Sequence, residues 1–222
     1  MSLAIVILLD SGAIVFTDSR SVTSDFSKSR IGVKKSAIIT NNDGRAIVAF
    51  TGDGEINGKL TLDILSESAA ANVNAATLPA SLVEGVKAAF EADVANFPWE
   101  NQADKAGYLR DARVVLHILT EPNKHHFWVI TPQRIANIPF PDGKNEAFSG
   151  VRGVACFTGG YRHWDMQAVR SLVPNSIHEL CSNESTCGYP VDVTVWKLGG
   201  QPEMTRCADL NALNAHLDRL IL

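Results

Sequence analysis

Cysteine is scarce in this chain: four in 222 residues, all in the last third. Cys156, Cys181, Cys187 and Cys207 do not form the dense framework of a small secreted scaffold, and the expectation is reduced thiols. There is no CxxC pair and no second half-site, so a zinc reading of His178, Cys181 and Cys187 has little to stand on. Positive charge is equally sparse. Twenty Lys and Arg against twenty-four Asp and Glu give a formal net charge of -4, and no basic cluster is interleaved with aromatics. The composition therefore argues against a nucleic-acid partner.

Long apolar runs are missing too. The stretch Leu3 to Leu9 is closed by Asp10, has no basic segment before it, and is far shorter than the roughly 20 residues that span a bilayer. It reads as a buried strand, and the expectation is a cytoplasmic protein without a membrane partner. With 45% hydrophobic and 20% charged residues, the chain fills one core, and residues 1–222 are expected to form a single domain.

Turn signals divide what is present. LAIVILL, the turn Asp10-Ser11-Gly12 and AIVFTDS read as one hairpin, and VKKSAIIT, NNDG and RAIVAFTG as a second. Apolar residues at helical spacing then predict helices from Glu55 to about Asn72 and after Pro79, ending before Pro98. The polar stretch Trp99 to Asp111 reads as an exposed loop. RVVLHILT, HHFWVIT around the turn Pro122-Asn123, RIANIPF and a weaker segment near Phe148 supply a second group of strands. Trp164 to about Ser182 reads as helix interrupted at Pro174, PVDVTVWKL as strand, and Asp209 to Leu222 as an amphipathic helix. Two groups of antiparallel strands flanked by helix pairs predict an α+β fold with sandwiched sheets and outer helices.

The chemistry starts at Ser2. Loss of Met1 would leave a serine carrying both a hydroxyl nucleophile and a free α-amine, so one residue would supply attacking group and base. Asp18 follows sixteen positions later, and Lys34 and Lys35 stand further on. Each has an ordinary structural reading: a turn carboxylate, or a solvated strand edge. Other motifs fall away. GDGEINGK lacks the Ser or Thr of a phosphate-binding loop, because Leu60 follows Lys59. His117, His125, His126 and His163 fit no Ser-His-Asp pattern, and His117 reads as a packed or solvent-facing strand residue.

The opening strand, TDSR, VKK and FTGDG together resemble a proteasome β-type subunit of the N-terminal-nucleophile hydrolases. SNESTCGYPVDVTVW is similar to the corresponding region of the bacterial proteasome-like proteins called Anbu. The resemblance implies a four-layer αββα sandwich and homo-oligomeric rings or related self-compartmentalising particles. It implies an N-terminal-nucleophile peptidase acting on peptide or unfolded protein, without a cofactor. It names no unfolding ATPase partner.

Carried onto this sequence, the resemblance makes Ser2 the nucleophile, Asp18 the carboxylate, Lys35 (or Lys34, depending on one loop insertion) the lysine, and Gly52 the oxyanion donor. Ser21, Val33, Phe50 and Gly54 would line a shallow apolar pocket for the side chain before the scissile bond. Departures from the family pattern fall at Thr158-Gly159-Gly160, Glu184 and Cys187. They leave a second expectation beside the first, a catalytically silent ring-forming scaffold on the same fold.

Overall fold

The computed structural model describes residues 3–22, 29–41, 44–71, 76–139, 145–150, 164–183 and 187–222. In chain order the strands and helices are β1 (Leu3–Leu9), β2 (Gly12–Asp18), β3 (Ser21–Val22), β4 (Ser29–Arg30), β5 (Ser36–Asn41), β6 (Gly44–Gly52), β7 (Glu55–Ile56) and β8 (Lys59–Leu60). They continue with α1 (Thr61–Ala70), α2 (Leu78–Asn96), α3 (Gln102–Asp111), β9 (Val114–Glu121), β10 (Lys124–Ile130), β11 (Ile135–Asn137) and β12 (Glu146–Gly150). The last are α4 (Met166–Asn183), β13 (Val191–Lys197), β14 (Pro202–Cys207) and α5 (Leu210–Arg219).

Two five-stranded sheets result, ordered β12-β1-β2-β13-β14 and β11-β10-β9-β6-β5, and every strand pair within them is antiparallel. The alternation of strand side chains gives each sheet two faces. On β1, Leu3, Ile5, Ile7 and Leu9 pack with Val169, Val173 and Ile177 of α4 and Leu213 and Leu217 of α5. Val48 and Phe50 of β6 and Leu116 and Ile118 of β9 pack likewise beneath Leu65 of α1 and Leu82, Val86 and Phe90 of α2. Between the sheets lie Ala4, Val6, Ala13, Val15, Ile47, Ala49, Leu119 and Ala147. Helix, sheet, sheet and helix therefore form four layers, and the predicted αββα sandwich is observed.

Several local expectations are corrected. The predicted helix at Glu55 starts only at Thr61, because Asn57 (φ 51°) and Gly58 (φ 72°) turn β7 back onto β8. An Asn-Gly pair favours this tight reversal, since both residues accept positive φ. The expected loop at Trp99 to Asp111 contains α3, whose N-cap Asn101 accepts from the amides of Ala103 and Asp104. Its apolar content is too low for periodicity to show it, but the cap is legible. Helix α4 runs on through Pro174, which is buried with Val173 and Ile177 in the helix-facing core, so packing outweighs the lost backbone hydrogen bond. Strand β14, which the sequence reading omitted, pairs with β13 from Val191↔Cys207 to Trp196↔Pro202.

Candidate active site

Strand β2 carries an aspartate at its last position, where the neighbouring strands leave room for backbone donors. Asp18 Oδ1 accepts from the Leu3 amide at 2.7 Å and from Lys35 Nζ at 2.8 Å. Oδ2 accepts from the amides of Arg20 at 3.1 Å and Gly188 at 3.3 Å. Four donors thus converge on one carboxylate drawn from four separate segments of chain. The pair is closed to solvent, with side-chain exposure of 0% for Asp18 and 5% for Lys35. Burial pushes the Asp18 carboxyl up from its ordinary value, while the Lys35 cation and the Leu3 and Arg20 amides pull it back down. An ion pair this deep is kept together because either partner alone would be an uncompensated buried charge.

Lys35 stands just before β5 and also donates to the Arg20 carbonyl. Its own carbonyl accepts from the Phe50 amide at 2.9 Å, which ties it to the end of β6. Lys34 is exposed. Beside the pair, Thr17 and Ser36 bond through their hydroxyls at 2.9 Å across the two sheets. Arg206 of β14 clamps Asp192 of β13 at 2.7 and 2.8 Å and reaches the Gly32 carbonyl at 3.4 Å, which fixes the loop leading to Lys35.

Gly52 ends β6 opposite Val114. Its φ is 102°, and an added Cβ would stand 2.1 Å from the Arg113 carbonyl oxygen. Only glycine fits, on conformation and on space alike. The following turn is held by Asp53, whose amide donates to the Arg113 carbonyl and whose carboxylate accepts the Arg113 amide, both at 2.9 Å. Burial pushes the Asp53 carboxyl up to about 6, with the Arg113 amide opposing it.

The other sequence candidates scatter around this centre. Ser2 lies outside the described residues, as do Thr158, Gly159, Gly160 and Glu184. Ser21 opens β3 and pairs with Arg30 of β4. Val33 is half-buried, and its amide donates to the Ser19 carbonyl at 2.9 Å, so it borders Asp18. Gly54 accepts from the Thr61 amide at 2.9 Å. Phe50 is 2% exposed and sits in the core beneath α1 and α2. Cys187 is wholly buried, with its carbonyl accepting from Arg20 Nη1 at 3.3 Å.

Sequence reasoning missed the donors that hold Asp18 from outside the motif, the Leu3 and Gly188 amides, because backbone groups leave no trace in residue type. It also missed a second buried polar group. His117 Nε2 lies 2.7 Å from Ser149 Oγ of β12, its Nδ1 lies 3.2 Å from His125 Nε2, and its ring stacks on Phe127 at 4.5 Å. This cluster bridges the two sheets. A cavity of about 150 Å³ lined by Val195, Lys197, Glu203, Thr205 and His216 opens elsewhere. Val195 and Lys197 pair with Ile14 and Gly12, which puts it toward the end of β2 remote from Asp18.

Solved structures align with this chain along nearly its whole length. Anbu (ancestral beta-subunit) from Yersinia bercovieri superposes with a TM-score of 0.68 and 13% identity over 97% of this chain and 91% of its own. The fold is shared with the Anbu proteins. Anbu from Pseudomonas aeruginosa, solved as a helical assembly, gives 0.67 and 14% identity over 99% and 97%. A Gly-1 mutant of Anbu from Hyphomicrobium sp. strain MC1 gives 0.65 and 11% identity over 98% and 94%. No family model and no curated protein matches at the level of sequence. Among the described residues no helix is long and apolar enough to cross a membrane.

Proposed function

We propose that this chain is an N-terminal-nucleophile peptidase of the Anbu type, in which Ser2, exposed by removal of Met1, attacks a peptide carbonyl. The observation that carries this reading is the buried Asp18–Lys35 pair at 2.8 Å, whose carboxylate also holds the Leu3 amide, one peptide bond from Ser2. A cation next to the nucleophile favours the serine alkoxide and disfavours protonation of the α-amine. That amine, with an ordinary pKa of about 7.7–8.0, takes the hydroxyl proton directly or through a water. Asp18 neutralises and aims the lysine.

The Gly52 amide is the oxyanion donor in this mechanism, and loss of one such donor costs about 10²–10³ in turnover. Water then hydrolyses the ester to release the acyl product. Val33, Ser21 and Gly54 border the cleft that takes the side chain before the scissile bond. With Phe50 packed into the core beneath α1 and α2, the pocket in this reading is shallow and prefers small or medium apolar side chains. The helical assembly of the Pseudomonas aeruginosa Anbu supports a homo-oligomer here, with peptide or unfolded protein admitted to an enclosed space.

Labelling with a peptide epoxyketone tests the proposal, because the reagent closes its ring only on a hydroxyl and a free amine borne by one residue. The expected result is a mass adduct on a chain lacking Met1, absent from Ser2→Ala. A protein that has shed Met1 and never labels is instead the silent scaffold, and the peptidase reading fails.

A further inference from the structure

The sulfurs of Cys181 and Cys187 lie 3.7 Å apart, and both are free thiols. Cys181 sits in the last turn of α4 and is partly exposed, whereas Cys187 is buried in the segment that enters β13. That segment is the one holding Asp18. The Gly188 amide donates to Asp18 Oδ2 at 3.3 Å, the Gly188 carbonyl accepts from the Ser19 amide at 3.2 Å, and the Cys187 carbonyl accepts from Arg20 Nη1 at 3.3 Å. We propose that Cys181 and Cys187 form a reversible disulfide under peroxide, and that this thiol pair is a redox modification site acting on the Asp18–Lys35 centre. Its effect on catalysis rests on the peptidase reading above. The disulfide itself does not.

The division of labour follows from exposure. Its hydrogen bond to Cys181 and burial push the Cys187 thiol up, and either sulfur can donate in that contact. Cys181, within reach of solvent, is the sulfur an oxidant meets. Its sulfur attacks one oxygen of hydrogen peroxide, the O–O bond breaks, and a sulfenic acid forms while the departing hydroxide leaves as water with the Cys181 proton. The Cys187 sulfur then attacks the Cys181 sulfur, an S–S bond replaces the S–O bond, and a second water departs with the Cys187 proton. Two thiols and one peroxide thus give one disulfide and two waters.

Bond formation draws the sulfurs from 3.7 Å to about 2.05 Å. Cys187 belongs to the same core as Val169, Val173 and Ile177 of α4, with Cys181 packed at its edge, so the last turn of α4 shares the movement with residues 187–188. Their bonds to Ser19, Arg20 and Asp18 are all at the long end of the hydrogen-bond range, and these are what the closure loosens. Arg20 also packs on Gly188, where an added Cβ would meet its Nε at 3.1 Å, so the disturbance passes on to the segment whose carbonyl Lys35 holds.

The test treats the intact protein with hydrogen peroxide, blocks remaining thiols, and maps peptides by mass spectrometry. A Cys181–Cys187 cross-link that dithiothreitol reverses, and that Cys181→Ser abolishes, is expected. Amide exchange at Gly188 should quicken about tenfold in the oxidised form, the scale of one net hydrogen bond. Sulfinic acid accumulating at Cys181 without a cross-link, or a cross-link that leaves Gly188 exchange unchanged, overturns the proposal. Neither readout needs turnover, so a protein that cross-links but never labels with epoxyketone loses the peptidase reading and keeps this one. Should Cys181→Ser misfold, Cys187→Ala, which must also lose the cross-link, stands in.

Discussion

Among the described residues, two buried polar clusters in this sandwich are built on opposite terms. At the end of β2, Asp18 and Lys35 form an ion pair whose carboxylate is also held by backbone amides. In the middle of the inter-sheet layer, His117 is completely buried, and it meets Ser149 and His125. Burial and the neighbouring His125 hold His117 well below its ordinary 6.5, and burial with the adjacent His126 takes His125 down to about 3. The imidazoles are therefore uncharged. Around Asp18 several donors converge on a buried charge, whereas neutral hydrogen bonds serve where the walls are Ala49, Leu119 and Phe127. The comparison sets an ion pair at the strand end against neutral sheet-to-sheet contacts in the middle.

The strongest way to break the contrast is to leave one charge alone. Lys35→Met should destabilise the fold by about 3–5 kcal/mol, since it strands a buried carboxylate, and should abolish epoxyketone labelling. Adding Asp18→Asn should recover part of that stability in urea titrations but none of the labelling. Gly52→Ala comes next, because it forces positive φ on a side chain with no space. A loss of about 1–3 kcal/mol or more is expected from conformation alone, with labelling reduced beyond what the fraction unfolded explains.

In the neutral cluster, Ser149→Ala leaves His117 Nε2 without its partner and should cost about 1–3 kcal/mol. His117→Phe, apolar and flat, should cost less. It should also change the pH profile. The unfolded chain takes up a proton near 6.5, whereas folded His117 does not until far lower pH, so its contribution is intact above 6.5 and lost as pH falls. Thermal melts of His117→Phe should show an acid-side slope shallower by one proton.

The smallest effect concerns Asp53 and has the reverse sign. Its folded pKa of about 6 stands above the ordinary 3.8, so the native state holds the proton longer and stability falls as pH rises between those values. Asp53→Asn should remove that fall. A variant whose stability still declined across pH 4 to 6, in the same melts, would show that another group titrates there.

How much of this was legible before the fold? The short apolar runs LAIVILL and AIVF bounded by turn residues, the NNDG turn and the heavy apolar stripe of the last helix announced paired strands and outer helices correctly, because strands buried on both faces read as short continuous apolar runs. Asn57-Gly58 and Asn101 carried a hairpin and a helix cap in their residue types, and were hidden by a reading based on apolar spacing. Pro174 misled for the opposite reason, since propensity is local and the core around it is not. Asp18 and Lys35 were visible as candidates. Their four-donor arrangement was not, since two of the donors are amides at Leu3 and Gly188.

The sequence alone determined the two opening hairpins and the amphipathic last helix, the residues able to fill a two-faced sheet, and the short list of groups able to do acid–base chemistry. The tertiary structure decided which lysine meets Asp18, that Phe50 belongs to the core, and that Cys181 touches Cys187. It also decided that His117 stays neutral between the sheets. The reason is physical: pattern along a chain encodes which face a side chain takes, while charge state and contact depend on what the other segments bring to that face.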